Sequence, residues 1–332
     1  MTRCTNILRI GIVGLGYWGP RLIPLFHGLP AVSVVRLCDA NRALAETVSA
    51  QYAILEPPAS SMTELLSDAK KHLDAVIIAT PPNTHYDHAR QALDAGMHEF
   101  VEKPLAVTSV EAHQLSEHAR EKNRVLFVDH TFCYDGVFLA LREMVQKGDL
   151  GPMQSVSFEW LGARPKPQGP DVLWDSGPHA VASCLFLLGI YPDSISMHGL
   201  SYLDGGILSV AEGELHFKDG IIAKVILGWK GGSYRGNPIE KAARVTLAGE
   251  EKVVEYEGSF GMRNVRVCDS KGGSWMPLMG MTYDDEPLRA ACTAFVDSIR
   301  VSPEHNRTDG VFGTHVVSIL SAAEYSVSHG GR

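Results

Sequence analysis

The sequence lacks the features that mark membrane, secreted and nucleic-acid-binding proteins. None of its apolar runs approaches the ~20 residues that span a bilayer, and its first residues form no apolar stretch of the length found in secretory signals. Lys and Arg number 30 against 38 Asp and Glu, for a net charge of −8, and no segment concentrates the basic residues. Because a phosphate backbone is bound by clustered Lys and Arg, we expect no nucleic acid among the partners of this chain. The short apolar runs likewise lead us to expect no membrane partner.

Cysteine is scarce and scattered. The six cysteines include no C-x-x-C pair, so neither a disulfide framework nor a cysteine-based zinc site is predicted. Reduced thiols indicate a cytoplasmic protein. His85 and His88 lie three residues apart, but no carboxylate or cysteine completes a set of ligands with them, so no metal site is predicted.

The 332 residues are enough for two domains of ~150 residues each. Short apolar segments alternate with amphipathic segments through the first 130 residues. The predicted strands are Leu8–Val13, Val32–Cys38, Ala75–Ala79, Glu99–Val101 and Val125–Val128, and the predicted helices are Trp18–His27, Arg42–Gln51, Tyr86–Ala95 and Glu111–Lys122. Capping boxes at Ser61–Glu64 and Thr108–Glu111 mark two helix starts. This alternation predicts a parallel sheet with helices on both faces.

The pattern changes after about Asp129, where longer alternating segments begin. The predicted strands are Met153–Trp160, Ile207–Phe217, Ile221–Trp229, Arg244–Ala248, Val253–Tyr256 and Asn264–Cys268, and the predicted helices are Val137–Lys147, Pro287–Arg300 and Val311–Ser328. Asp219-Gly220 is typical of a hairpin turn, so this sheet should be antiparallel, closed by the last two helices. We place the domains at residues 1–128 and 129–332, packed together with the natural site in the cleft between them.

The clearest chemical signal is a G-x-G-x-x-G pattern at Gly14–Gly19. It follows a predicted strand and opens a predicted helix, the context in which this pattern binds a dinucleotide. Gly14 permits the tight turn, Gly16 lets the backbone approach a diphosphate, and Gly19 lets helix and strand pack closely. Free N–H groups at the helix N-terminus favour the anion. We therefore predict a dinucleotide-binding domain, with Tyr17 and Trp18 beside the cofactor.

Asp39 and Arg42 give opposite indications of which dinucleotide binds. Asp39 lies 20 residues after Gly19, at the end of a predicted strand, where a carboxylate accepts the adenosine 2′-hydroxyl and repels a 2′-phosphate. Arg42 could bind that phosphate, or it could be a solvated residue in the first turn of a helix. We favour the solvated interpretation and NAD, with NADP as the alternative.

Two further turns end strands at what should be the same edge of the sheet. One contains Thr80, Pro81, Asn83 and His85, and the other is Glu102-Lys103-Pro104. Ligands of such sheets lie beyond the carboxyl ends of the strands, and prolines there suit a wall against a cofactor ring. We expect these residues to border the cofactor, and plain turn chemistry is an equal alternative for Asn83.

These segments together resemble the Gfo/Idh/MocA oxidoreductases. The resemblance rests on Gly11–Pro20, Ala79–His85 and Val101–Leu105, and it extends to Trp174–His179, which is similar to the D-x-x-x-H element of the family, and to Thr308–Gly310. It covers nearly the whole chain, and its most specific piece is the Glu-Lys-Pro sequence after a strand. The G-Y-W-G-P and L-W-D-x-x-P-H strings are similar to the branch acting on nucleotide-linked sugars, which includes sugar 3-dehydrogenases and 3-ketoreductases.

The resemblance implies an NAD(P)-dependent oxidoreductase acting on CH–OH groups, with an α/β fold. A Rossmann domain would be followed by an α+β domain with a large, mostly antiparallel open sheet, through which a homodimer or homotetramer forms. The substrate would be a sugar, with a nucleotide-linked sugar first and an inositol, aminocyclitol or free sugar as the alternative. A dinucleotide-sensing regulator without turnover is a third possibility, although retention of Lys103 and His179 speaks against it.

The resemblance also assigns roles to individual residues. Lys103 would contact both the substrate and the nicotinamide ribose, and either Lys103 or His179 would be the acid/base. Members of the nucleotide-sugar branch usually have Asp after the histidine, whereas this chain has Ala180. An acidic contact to the substrate or to the histidine is therefore missing from the pattern.

The proposed reaction requires Lys103 or His179 to transfer a proton. Hydride transfer from a secondary alcohol needs a base for the alcohol proton, and a lysine in a partly dry cleft beside a cationic nicotinamide has its charged form disfavoured. Pro178 predicts a helix start at 176–178, with His179 in the first turn, where the helix dipole disfavours imidazolium. Asp175 could orient this ring or favour imidazolium, and the sequence leaves open which effect prevails.

Four other residues are candidates for contacts to the substrate. His130 and Tyr134 begin the second domain, and either packing or hydroxyl binding fits them equally well. Arg164 stands in a proline-rich loop, where it could contact a diphosphate or remain solvated. Trp174 belongs to the L-W-D-x-x-P-H string.

Overall fold

The computed structural model describes residues 7–67, 72–162, 170–201, 206–229, 233–234, 237–238, 242–259, 262–278 and 286–331. The chain forms two compact units, one of Met1–Thr131 with Glu286–Val317 and one of Phe132–Asp285 with Ser318–Arg332. The return of Glu286–Val317 to the first unit is not part of the sequence-based division at residues 128 and 129. That division stays a prediction.

The N-terminal unit is built on five parallel strands. They are β1 (Leu8–Val13), β2 (Val32–Cys38), β3 (Ala75–Ile78), β4 (His98–Glu102) and β5 (Leu126–Asp129), hydrogen-bonded in the order β2-β1-β3-β4-β5. β3 and β5 are buried along their whole length, which is why their sequences are almost continuously apolar. The predicted parallel sheet is confirmed.

Side-chain hydrogen bonds fix the starts of several helices in this unit. The helices are α1 (Gly19–His27), α2 (Arg42–Gln51), α3 (Met62–Leu66), α4 (His85–Asp94) and α5 (Ser109–Lys122). The Ser61 hydroxyl accepts a hydrogen bond from the Glu64 N–H at 3.2 Å, and Thr108 does the same for Glu111 at 3.2 Å. Both predicted helix starts are confirmed, and the other boundaries agree within the usual uncertainty of one or two residues.

The C-terminal unit is built on a sheet of eight strands. They are β6 (Met153–Gly162), β7 (Ser194–Leu200), β8 (Val210–His216), β9 (Ile222–Trp229), β12 (Ala242–Gly249), β13 (Lys252–Ser259), β14 (Met262–Asp269) and β15 (Met276–Pro277), while β10 (Ser233–Tyr234) pairs separately with β11 (Asn237–Pro238). The order is β15-β14-β13-β12-β6-β9-β8-β7, and β6 with β9 is its one parallel pair among the described strands. Asp219 and Gly220 turn the chain between β8 and β9 with φ angles of 61° and 78°, as the Asp-Gly signal predicts. The open, mostly antiparallel sheet is confirmed.

The helix that carries His179 begins earlier than the sequence predicts. The helices of this unit include α6 (Gly136–Lys147) and α7 (Val172–Leu188). The Asp171 carboxylate accepts hydrogen bonds from two backbone N–H groups, each at 3.0 Å, and so caps α7. The predicted start at 176–178 is wrong because Pro178, which fits a first turn without requiring one, lies inside the helix. His179 therefore lies about two turns into α7, beyond the reach of the N-terminal dipole.

A later helix completes the core of the N-terminal unit. Helix α8 (Pro287–Arg300) precedes α9 (Gly310–Ser328), and its Phe295 packs on Phe100 and Phe127 with ring centroids 5.6 and 5.8 Å apart. The Phe100 and Phe127 rings stack on each other at 5.1 Å. The sequence pattern predicts that α8 closes the C-terminal domain. The structure differs because the apolar face of α8 finds its partners on the parallel sheet.

Helices within the described ranges do not combine the length and the apolarity that a membrane crossing requires.

Phe295→Ala should destabilise the N-terminal unit by about 3–5 kcal/mol, because the change removes a ring from a packed cluster and leaves a cavity. Urea unfolding would measure the loss. Val311→Ala is the control, since Val311 is 52% exposed. A loss for Phe295→Ala below about 1 kcal/mol, the range of ordinary surface changes, would contradict the packing described for α8.

Candidate functional site

The turn Gly14–Gly19 leads from β1 into α1, and its three glycines meet different constraints. Gly14 has a φ of 89°, and a Cβ there would lie 2.6 Å from the carbonyl oxygen of Ala79. A Cβ at Gly19 would overlap the carbonyl oxygen of Gly14. A Cβ at Gly16 would meet no heavy atom within 4 Å. Gly14 and Gly19 are thus required by the fold of the turn, whereas Gly16 leaves open space above the backbone.

The turn that contains this open space leads directly into α1, where backbone N–H groups lack partners within the helix. A dinucleotide diphosphate fits such a position, because the helix N-terminus favours an anion and a glycine lets it approach the backbone. Tyr17 and Trp18 lie in the same turn and are 65% and 38% exposed. The Arg21 guanidinium lies over the Tyr17 ring, 3.7 Å from its centroid, and so brings a positive charge to this end of the helix.

Asp39 ties the end of β2 to this turn. One carboxylate oxygen accepts a hydrogen bond from the Leu15 N–H and the other from the Asn41 N–H, each at 2.8 Å. Each oxygen can still accept a second hydrogen bond, so the carboxylate is held in place with capacity left for the hydroxyl groups of a ribose.

Arg42 is held by two carboxylates. Its guanidinium lies 3.3 Å from Glu46 and 3.6 Å from Glu64. Glu64 is itself fixed, because it accepts hydrogen bonds from the N–H and the hydroxyl of Ser60, both at 2.8 Å. These hydrogen bonds, together with the charges of Arg42 and Arg36, lower the pKa of Glu64. Arg42 is therefore neither a freely solvated side chain nor an unengaged phosphate ligand.

The turn after β3 is linked to the turn after β4 through His85. The ring is fully buried, with Nδ1 2.7 Å from the Pro104 carbonyl oxygen and Nε2 2.8 Å from that of Thr80. Burial lowers the pKa of His85. Pro81 and Asn83 are exposed on the same turn, whereas Thr80 is half-buried. The buried His85 ring thus holds the two turns together. Pro81 and Asn83 are the residues of this set that are exposed to a ligand.

Lys103 lies at the end of β4 among buried titratable groups. Glu102 is 6% exposed, Asp129 2% and His130 1%. Burial shifts the pKa of each of these three groups most, and the positive charge of Lys103 acts on all three: it opposes the rise at Glu102 and Asp129 and adds to the fall at His130. The same charge also acts on His85. The structure therefore brings together Glu102, Lys103, His130 and His85 among the residues that the sequence singles out.

The carboxyl groups of this cluster are strongly affected by burial. Burial and the nearby Asp129 raise the pKa of Glu102 well above its usual range. Burial raises the pKa of Asp129 to about 7, although a hydrogen bond from the Thr131 hydroxyl at 3.1 Å and the charge of Lys103 oppose the rise. The sequence patterns did not assign a role to Asp129. The one feature that could have indicated such a role is an acidic residue directly after a buried strand and next to a candidate histidine.

His130 is neutral in this setting. Burial and the charge of Lys103 lower its pKa to about 3. Its ring meets Phe312 edge to face at 5.7 Å, and neither ring nitrogen has a hydrogen-bond partner. A buried donor and acceptor without partners are costly, so His130 offers a ligand hydroxyl two positions to satisfy.

In the C-terminal unit, His179 is held by aromatic rings. It stacks on Trp160 of β6 with centroids 5.2 Å apart and an interplanar angle of 12°, and the Phe132 ring meets it edge-on at 5.7 Å. Asp175 lies one turn earlier on the same face of α7. Trp160 and Phe132 are contacts that the sequence did not indicate, because they come from separate elements.

The remaining candidates in this unit differ in their surroundings. Trp174 is half-buried on α7, whereas Tyr134 is only 3% exposed, which favours packing. Arg164 lies outside the described residues. Within the described part of the chain, His, Cys, Asp and Glu side chains form no group of three that could hold a metal ion.

Gly16→Ala should leave the melting temperature of the protein unchanged, because a Cβ there has open space, yet weaken NAD binding roughly tenfold or more by occupying the approach of the diphosphate. Gly19→Ala is the contrasting variant and should lower the melting temperature. Calorimetric titration with NAD and thermal unfolding measure the two effects. Unchanged NAD affinity in Gly16→Ala would place the dinucleotide elsewhere.

Comparison with protein-family models gives two matches. The model described as "Oxidoreductase family, NAD-binding Rossmann fold" matches residues 8–130, and the "GFO/IDH/MocA C-terminal domain" matches residues 138–255. The two models belong to one family and together cover most of the chain.

Individual relatives agree with this assignment. The chain is 26% identical over 199 residues to a scyllo-inositol 2-dehydrogenase (NADP(+)) of Bacillus subtilis, a match that covers 57% of this chain and 54% of that protein. The chain thus spans about half the length of the curated relatives it matches.

Two solved structures share the fold along nearly the whole chain. An aldose-aldose oxidoreductase from Caulobacter crescentus, complexed with glycerol, has a TM-score of 0.85 at 20% identity and covers 97% of this chain and 98% of its own. A UDP-N-acetylglucosamine 3-dehydrogenase from Acidithiobacillus ferrooxidans has a TM-score of 0.81 at 20% identity, with the same coverage. The chain belongs to the Gfo/Idh/MocA family of oxidoreductases, and its N-terminal part is the NAD-binding Rossmann fold of that family.

Proposed function

We propose that this protein is an NAD-dependent oxidoreductase that transfers a hydride between the nicotinamide and a ring hydroxyl or ketone of a sugar. The observation that supports it most directly is the placement of Lys103 at the carboxyl edge of the same parallel sheet that carries the open turn at Gly16. Ligands of such sheets bind at this edge. A lysine there can reach both the nicotinamide ribose and the carbon that reacts.

The residues of this chain have to bind the substrate and move one proton. When bound, the nicotinamide ring accepts or supplies the hydride. Lys103 hydrogen-bonds the substrate oxygen and exchanges the hydroxyl proton as the C–O group is oxidised or reduced. Glu102, His85 and the turn at Thr80 fix the backbone that carries Lys103.

His179 is the second candidate for the acid/base. Its ring is held by Trp160 and Phe132, and Asp175 one turn earlier orients it or stabilises its protonated form. A fixed imidazole that can carry a proton suits general acid/base chemistry. We propose Lys103 as the group that exchanges the proton with the substrate oxygen, with His179 and Asp175 completing the catalytic set.

A nucleotide-linked sugar is the first candidate substrate, as in a 3-dehydrogenase or 3-ketoreductase. The fold shared with the UDP-N-acetylglucosamine 3-dehydrogenase supports it, as does Arg164 in its proline-rich segment, which suits a diphosphate. His130 and Trp174 would contact the sugar, whereas the burial of Tyr134 favours a packing role. The homodimer or homotetramer through the C-terminal sheet and the cytoplasmic location stay predictions.

An inositol, aminocyclitol or free sugar is the second candidate. The specific observation that favours it is the sequence match to the scyllo-inositol 2-dehydrogenase, together with Ala180, where the nucleotide-sugar branch usually has an acid. A regulator that senses the dinucleotide without turnover is a third reading. It does not require a lysine held in a buried cluster.

Lys103→Met should lower kcat by about 10²–10⁴-fold, the range that one acid/base contributes, while NAD still binds. The assay would follow NADH absorbance with UDP-N-acetylglucosamine, myo-inositol and scyllo-inositol in parallel. Lys122→Met is the matched control, because Lys122 lies on α5 away from the sheet edge. Turnover by Lys103→Met at the rate of the parent protein would show that Lys103 does not transfer the substrate proton. Turnover of the inositols alone would decide for the second candidate substrate.

The preference for NAD over NADP follows from Asp39 and from the way Arg42 is held. Asp39 presents a negative charge where a 2′-phosphate would lie, and Glu64 draws the Arg42 guanidinium into an ion pair. A 2′-phosphate would have to compete with Glu64 for Arg42. We therefore propose NAD as the natural dinucleotide.

Glu64→Gln should improve NADP binding relative to NAD by roughly two- to fivefold, since an exposed ion pair contributes little. The amide oxygen can still accept the hydrogen bonds from Ser60, so helix α3 keeps its start. Dissociation constants for both dinucleotides give the ratio. Glu117→Gln, which breaks another exposed ion pair, is the control. An equal ratio in the two variants would rule out a role for Glu64.

A further inference from the structure

A ladder of paired side chains runs along one face of the parallel sheet, from aromatic rings to carboxyl groups. Phe100 of β4 and Phe127 of β5 are register partners, and so are Glu102 and Asp129 two positions later. Side chains two apart on a strand point to the same face. The two carboxyl groups therefore extend the Phe100–Phe127 stack to the carboxyl edge, on adjacent strands ~4.8 Å apart.

Helix α8 covers this ladder and keeps it dry. Phe295 packs on both phenylalanine rings, and Cys292, one turn earlier, is completely buried. Burial raises the pKa of the Cys292 thiol, and the nearby carboxyl groups of Asp129 and Glu102 add to the rise. Solvent is therefore excluded from the pair on the side of α8.

Two carboxyl groups in such a place cannot both carry a charge without a cation. Like charges repel strongly where the dielectric constant is low. The cation beside them is Lys103: burial raises the pKa of both carboxyl groups, and the positive charge of Lys103 opposes that rise. The Thr131 hydroxyl donates a hydrogen bond to Asp129 and fixes the orientation of its carboxylate.

We propose that Asp129 is a positioning residue for Lys103, holding the ammonium group at the carboxyl edge of the sheet from the neighbouring strand. The inference rests on the proposed function of Lys103 and adds a residue that the sequence analysis did not assign. Asp129 acts only when ionised, whereas burial and the neighbouring Asp129 raise the pKa of Glu102 well above its usual range. The net charge of the cluster then falls by one as the pH rises through neutrality.

The groups that face the carboxyl pair come from three parts of the N-terminal unit. Lys103 follows β4, His130 and Thr131 follow β5, and Cys292 lies on α8. Arg289 on α8 and Glu286 just before α8 act in turn on Cys292. His130 remains neutral above about pH 3 and Cys292 keeps its proton. Burial raises the pKa of Asp129 to about 7, so the charge of Asp129 changes as the pH crosses neutrality.

The first experiment is a double-mutant cycle with Asp129→Asn and Lys103→Met, read as melting temperature at pH 8.5 and at pH 5.5. At pH 8.5 Lys103→Met should lower the melting temperature by about 2 °C more in the parent than in the Asp129→Asn background. The difference should shrink at pH 5.5, where Asp129 is protonated. The same cycle with Glu99→Gln, a fully buried acid on the opposite face of β4, should be additive at both pH values.

The second experiment measures kcat/KM against pH with whichever of UDP-N-acetylglucosamine and the inositols turns over. The parent and Glu99→Gln should show a rise centred near pH 7 that Asp129→Asn lacks. Asp129→Asn should lose roughly tenfold in kcat, the scale of a misplaced reacting group, with little change in the KM for NAD. Thr131→Val, which removes only the hydrogen bond to Asp129, should give a smaller loss of the same kind.

An additive Asp129–Lys103 cycle would overturn the pairing. A coupled cycle with an unchanged pH profile in Asp129→Asn would overturn the positioning role. The double-mutant cycle needs no substrate, so it tests the Asp129–Lys103 pairing even if none of the tested sugars reacts. A failure of all the tested sugars to react would count against the proposed function and not against the pairing.

Discussion

The burial of the parallel sheet on both faces is the constraint on which the rest of the structure depends. Strands β3, β4 and β5 are buried along all or nearly all of their length, so groups that must meet a polar ligand leave this part of the sheet where the strands end. Each strand accordingly ends beside a candidate group: Gly14 after β1, Asp39 after β2, Thr80 after β3, Lys103 after β4 and His130 after β5. The topology thus collects candidate groups from five separate segments at one edge of the sheet, as the proposed cofactor and substrate site requires.

The same burial divides the edge into two electrostatic regions. At the β2 end, Asp39, Arg42 and Glu64 are partly exposed, and solvent keeps their mutual interactions weak. At the β4 and β5 end, Glu102 and Asp129 lie under α8, where removal from water controls their charge. One end is therefore suited to recognise the adenosine by weak, adjustable contacts. The other is suited to hold a lysine in one place.

Local patterns predicted the local features of this protein well. The G-x-G-x-x-G turn, the capping boxes and the Asp-Gly hairpin depend on residues close in sequence, and each has the predicted form. The start of α7 was missed because Pro178 gave the stronger local signal, although Asp171 was an available cap. Local patterns could not predict contacts between segments that are far apart in the sequence. Phe295 packs on the parallel sheet although it follows the C-terminal sheet in the chain, and Trp160 of β6 stacks on His179 of α7. The importance of Asp129 becomes visible only when β4, β5 and α8 are assembled.

Hydrogen exchange of the intact protein with and without NAD tests the central claim most directly, because it locates the dinucleotide without requiring a substrate. The account predicts slower exchange on NAD binding at Gly14–Gly19 and at the turns after β3 and β4, with the β2 end around Asp39 protected to a similar degree. Exchange at these strand ends that is unaffected by saturating NAD, or protection confined to the C-terminal sheet, would contradict it.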